Sequence, residues 1–146
     1  MKLSTKVRYG TRAMLDLAIH YGSSPVLLKD IARRQEISLK YLDRIFSSLR
    51  AAGLAKSLRG AKGGFALNGP PSKIRLNQIV EALEGPLELV ECVNNKNFCN
   101  RFNSCVAREI WYEVGKSMEG VLKATTLEDL VTRDRNKKRV SKMYYI

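Results

Sequence analysis

No part of the 146-residue sequence approaches the about 20 consecutive apolar residues that a membrane-spanning helix requires. The N-terminal stretch interleaves Lys6, Arg8, Arg12 and Asp16 with its apolar residues, so it lacks the unbroken apolar core of a signal peptide. A cytoplasmic protein with no membrane partner is the expectation. Histidine occurs once, at His20, and nothing in the sequence ties it to a nucleophile. A catalytic nucleophile needs an orienting base, so an enzyme is not expected. The glycine cluster at Gly60, Gly63 and Gly64 lacks the Gly-Lys-Ser/Thr ending and following helix of a phosphate-binding loop. Acid is scarce as well: 14 Asp and Glu stand against 26 Lys and Arg, a formal net charge of +12. Such a surplus suits a polyanionic partner.

The composition is 45% apolar and 27% charged, enough to bury a core in one compact unit. Between Thr5 and Tyr21, Val7, Met14, Leu17, Ala18 and Tyr21 recur at the spacing of an amphipathic helix, with Ser4 or Thr5 as its cap. A short helix from about Leu28 to Gln35 buries Leu28, Ile31 and Ala32. Glu36 and Ile37 alone separate it from Ser38, which can cap a second helix running to about Ala52. Leu39, Leu42, Ile45, Phe46 and Leu49 form the expected apolar face of that helix, opposite Lys40, Asp43, Arg44 and Ser47. Gly53 suits a left-handed C-terminal cap. Short extended segments, Leu54 to Arg59 and Phe65 to Leu67, flank the glycine cluster as a hairpin.

The order reads as a winged helix-turn-helix, and the second helix of such a motif enters the major groove of DNA. Ser38, Lys40, Tyr41, Asp43 and Arg44 are therefore the candidate DNA contacts, joined by Arg59 and Lys62 of the wing. Arg44 can pair bidentately with guanine and Asp43 can accept from a cytosine amino group, whereas Ser38, Lys40 and Tyr41 suit phosphates. From Lys56 through Arg75 five bases occur with no acid. From Leu76 through Glu91 the sign inverts, with four Glu and no base. Positive charge thus concentrates on the proposed DNA side.

Beyond the linker at 68–72, Leu76, Ile79, Val80 and Leu83 make a short helix that Gly85-Pro86 stops. Cys92, Cys99 and Cys105 follow in an Asn-rich loop. Three thiolates there can hold zinc or an iron-sulfur cluster, and the spacing does not choose between them. Val106, Ile110, Trp111, Val114, Met118, Val121 and Leu122 then form a long helical stripe that must bury against something, most economically a second copy of itself. Thr126 opens a short helix through about Arg133, and the basic stretch after it reads as a mobile tail. The expected fold is mainly α: a winged helix-turn-helix DNA-binding domain (1–85) with a two-stranded β wing, a cysteine loop (86–105), a long dimerisation helix with a following short helix (106–134), and a basic tail (135–146).

MKLSTKVRYGTRAMLDL at 1–17, ISLKYLDRIFSSLRAAGLAKSLRGAKGGFAL at 37–67, LEGPLELVEC at 83–92 and TTLEDL at 125–130 resemble the winged-helix transcription factors related to the iron-sulfur cluster regulator IscR. The likeness covers almost the whole chain. It implies a bacterial homodimeric repressor on a pseudo-palindromic DNA operator, with Cys92, Cys99 and Cys105 ligating a 2Fe-2S cluster. Family members carry a His three residues after the last cysteine, where this chain has Arg108, and nitric-oxide-sensing relatives use an acid where it has Arg8. The fourth ligand is therefore open. The segments LEGPLE and SKMYYI also look like the cysteine-metabolism repressor CymR, a cluster-free relative that works through a partner enzyme. That likeness implies the alternative of control by a regulatory protein partner or by thiol or zinc chemistry. A basic RNA-binding module is the remaining alternative.

Overall fold

The computed structural model describes residues 2–145. Helix α1 (Thr5–Ile19) begins where the Ser4 hydroxyl accepts from the Val7 amide, 3.2 Å away. Its buried side chains Val7, Ala13, Met14, Leu17 and Ala18 form the central stripe of the core. Tyr21, expected on that stripe, falls past the helix end and is exposed. Helix α2 (Leu28–Gln35) and helix α3 (Leu39–Ala51) follow, separated by Glu36, Ile37 and Ser38. Glu36 takes the left-handed backbone, φ 55°, that lets the chain turn so abruptly. Ile37 drops into the core behind it.

The α3 residues Leu42, Ile45, Phe46 and Leu49 are buried as their spacing predicts, but Leu39 is not. At the first position of the helix it points away from the body of the domain and is 52% exposed. Gly53, φ 75°, closes α3 and leads into the hairpin of β1 (Ala55–Leu58) and β2 (Gly64–Leu67), paired antiparallel with Ala55 opposite Leu67 and Leu58 opposite Gly64. The hairpin is bolted to the domain at its base. Val26 and Phe65 exchange backbone hydrogen bonds of 2.8 and 2.7 Å, and the Phe65 ring packs on Phe46.

The expected linker is partly ordered as a single 3₁₀ turn, Pro71–Lys73, which packs beside the last helix. Helix α4 (Leu76–Glu84) buries Ile79, Val80 and Leu83, and ends at Gly85 as expected. Gly10 of α1 faces it so closely that an added Cβ would collide with the Leu83 side chain. After the cysteine loop, α5 (Val106–Ala124) runs for 19 residues without one buried side chain. Helix α6 (Leu127–Tyr144) then returns to the domain, driving Leu127 and Val131 into the core against α1.

Here the expectation of a short helix and a tail gives way to one 18-residue helix. Lys and Arg are good helix formers, and the Asp134–Lys138 pair at i, i+4, 2.8 Å, supports the stretch read as a tail. Ile146 lies outside the described residues, as does Met1. The corner between α5 and α6 is fastened to the start of α4: Leu76 N–H donates to Thr125 O, Leu127 N–H to Ile74 O, and an Arg75 guanidinium N–H to Lys123 O.

Candidate nucleic-acid interface and cysteine loop

The first turn of α3 is held by Ser38, whose Oγ accepts from the Tyr41 amide at 3.2 Å. That use occupies the hydroxyl oxygen, leaving its O–H to donate outward. Lys40, Asp43 and Arg44 are exposed and have no side-chain partner within the described residues, so their charged ends face solvent. Ser38, Lys40, Tyr41 and Arg44 together line a shallow depression. Arg59 and Lys62 are exposed at the hairpin tip, which the Gly63 N–H to Gly60 O turn of 2.9 Å closes.

Three features of this face were not predicted. Tyr41 is half-buried, its ring edge-on against Tyr9 of α1 with centroids 6.0 Å apart, and the Arg8 and Arg12 guanidinium groups lie over the Tyr9 ring. The cationic end of α1 is thereby coupled to α3. Beneath it lies Asp16, the one charged residue in the buried core among the described residues. Its carboxylate accepts from Arg34 Nε at 3.0 Å and Nη2 at 2.6 Å, and from Gln35 Nε2 at 3.0 Å. Arg12 in turn donates to the Gln35 side chain and carbonyl. Burial pushes the Asp16 carboxyl upward, but the hydrogen bonds from Arg34 and Gln35 and the Arg34 charge outweigh it and hold the group below its ordinary range. This network pins the end of α2, and with it the turn that sets α3. The third feature is Leu39 itself, placed beside Lys40 in the open.

The cysteines are unpaired thiols: Cys92 and Cys105 are half-buried and Cys99 is exposed. Cys92 sits in a 3₁₀ turn, Glu91–Val93, and Cys105 caps α5. Among the described residues no three Cys, His, Asp or Glu side chains converge as a metal site. The donor chemistry of the three thiols suits iron or zinc, but position 108 does not extend it. The Arg108 guanidinium lies 4.0 Å from the centre of the Phe102 ring and donates from Nε to Phe102 O at 2.9 Å, and a guanidinium has donors but no acceptor to offer a metal. His20 is engaged elsewhere, its Nδ1 2.8 Å from Asp16 O at the end of α1. Next to the loop, α5 exposes Val106, Ile110, Trp111, Val114 and Val121, the stripe expected to meet a second copy. No helix among the described residues is long and apolar enough to cross a membrane.

Comparison with known proteins places this geometry among regulators. A family model described as Rrf2, iron-dependent transcriptional regulator, matches residues 3–133. Protein rrf2 of Nitratidesulfovibrio vulgaris is 44% identical over 131 residues, covering 90% of this chain and 87% of that protein. The solved structure of CymR, the global cysteine regulator of B. subtilis, superposes with a TM-score of 0.80 at 40% identity, covering 91% of this chain and 98% of that one. The structure of T. potens IscR gives 0.76 at 41% identity, covering 92% and 88%. The B. subtilis relative is named as a regulator, and none of the three is named as an enzyme.

Proposed function

The chain belongs to the Rrf2 family of transcriptional regulators, and from that premise we propose that it binds a pseudo-palindromic operator as a homodimer and acts there as a repressor. The observation that carries this reading is the unpartnered set of Lys40, Asp43 and Arg44 on the outer side of α3, with Arg59 and Lys62 extending positive charge along the wing. Lys40, Lys62 and the Ser38 hydroxyl anchor phosphates, Arg44 donates to guanine, and Asp43 accepts from an exocyclic amino group. The exposed stripe of α5 supports pairing with a second copy, because 19 residues of helix with no buried side chain bury little apolar area alone. A two-fold dimer predicts half-sites about one helical turn, or a multiple of it, apart. Cytoplasmic location belongs to the same proposal.

Selection of duplexes from a random pool by the purified protein tests it. Enrichment of an inverted repeat is expected. A pool that stays random, or one that yields only structured RNA when RNA competes at the same salt, would overturn it.

For the signal, Cys92, Cys99 and Cys105 are the residues that would hold a 2Fe-2S cluster, which when bound supplies a centre that gains and loses an electron. The chain's own contribution is placement: Cys105 caps α5, so ordering the loop bears on the helix proposed to pair the two copies. The separation of the thiols and the engagement of Arg108 favour a second reading, a cluster-free regulator controlled by a partner protein or by thiol or zinc chemistry. Iron, sulfide and zinc assays on protein reconstituted without oxygen, with and without Cys99→Ala, separate the two. Iron and sulfide lost in the variant support the cluster. Zinc at one per chain, or no metal, supports the second reading.

A further inference from the structure

Leu39 opens α3 and Leu27 immediately precedes α2, yet both expose their side chains in one place, at 52% and 42%. With Leu28 they floor a shallow depression whose rim is Lys29, Lys40 and Asp43. An exposed leucine is ordinary by itself. Leu28 packs partly against the core, but Leu27 and Leu39, brought together at the leading end of α3 beside two ammonium groups, are exposed and lie outside it. The α3 residues that build the core, Leu42 and Ile45, are fully buried without help from Leu39.

We propose that Leu39 is a specificity-determining residue whose side chain, with this depression, receives the C5 methyl group of thymine in the major groove. The assignment rests on the DNA-binding reading given above and deepens it. Thymine is the base whose major-groove edge is marked by a methyl group, and apolar side chains are what recognise it. The two lysines on the rim suit the phosphates on either side of the groove, which is the charge complement a duplex offers and an apolar peptide does not. Leu39 and Asp43 stand four residues apart and so share a helix face. The methyl therefore belongs beside a base with an exocyclic amino group, adenine or cytosine, facing the Asp43 carboxylate. The leucines read apolar shape, and Asp43 reads the donor next to it.

Replacing thymines of a selected duplex one at a time with deoxyuridine removes only the methyl group. In each half-site, one such replacement should weaken binding of the native protein about fourfold, the loss expected for one buried methyl. For Leu39→Ala the same replacement should have almost no further effect, whereas Leu39→Met, which keeps apolar surface, should retain the sensitivity. The circular-dichroism melt shows that each variant is folded, and Leu39, 52% exposed, is not one of the side chains that make up the core. If native protein tolerates deoxyuridine at every position, or if Leu39→Ala stays as sensitive as the native chain, the assignment is wrong while DNA binding stands. If native protein selects no duplex at all, the DNA reading fails and takes the assignment with it.

Discussion

Asp16 has the most to lose from a single atom change. It is nearly inaccessible, and its two oxygens hold Arg34 and Gln35 at the end of α2. Asp16→Asn removes the charge from those bonds and should cost about 1–3 kcal/mol in denaturant unfolding. The pH dependence carries a sign. Because the folded-state carboxyl lies below its ordinary value, its contribution is complete above the unfolded range and disappears as pH falls through the lower folded value. Asp16→Asn should flatten that acid limb, and an unchanged limb would show that another group sets it. Arg108 makes a second residue-scale test. Arg108→His frees Phe102 and puts an imidazole where IscR-like members carry one, so iron retained after oxygen-free reconstitution should rise above that of the native chain. Equal retention would mean that this position takes no part. Ser38, Lys40, Asp43 and Arg44 were legible from spacing alone, because a cap and an outward helix face are local properties. Asp16 with Arg34, and Tyr9 with Tyr41, were not, since partners 18 and 32 residues apart meet only when the helices pack.

At the scale of elements, the seating of the wing on the domain is most directly tested at Gly64. Gly64 has φ 145°, and a Cβ there would lie 2.5 Å from Val26 O, against the strand segment that anchors the hairpin. Gly64→Ala should loosen the wing and weaken duplex binding several-fold while α3 stays in place, as read by anisotropy titration alongside far-UV circular dichroism. Full affinity would place the wing outside the contact. The start of α3 followed from its Ser38 cap, and the ends of α3 and α4 from Gly53 and Gly85. Two elements did not follow. Leu39 matches the apolar period, but a residue at the first helical position lies beyond the neighbours that would cover it. The end of α6 was taken for a tail because charge density resembles disorder. Side-chain pairing along the helix, such as Asp134 with Lys138, depends on a backbone already formed.

For the whole molecule, the excess charge and the bare α5 stripe converge on one arrangement: two copies on one duplex. If about six phosphates are neutralised per site, the logarithm of the affinity should fall against the logarithm of salt concentration with a slope of roughly −5. A slope near zero would remove the electrostatic basis of the reading. Val114→Glu, which places a charge in the middle of the stripe, should shift the protein to single chains and reduce operator affinity, while its far-UV circular dichroism remains that of a folded helical chain. The exposed stripe on α5 was legible in the sequence from its helical spacing, and what covers it is the subject of the proposal. The most direct measurement is sedimentation equilibrium of the protein with a selected inverted-repeat duplex. A complex of two chains per duplex, present at concentrations where Val114→Glu forms none, is the predicted result. One chain per duplex, or no complex, would contradict it.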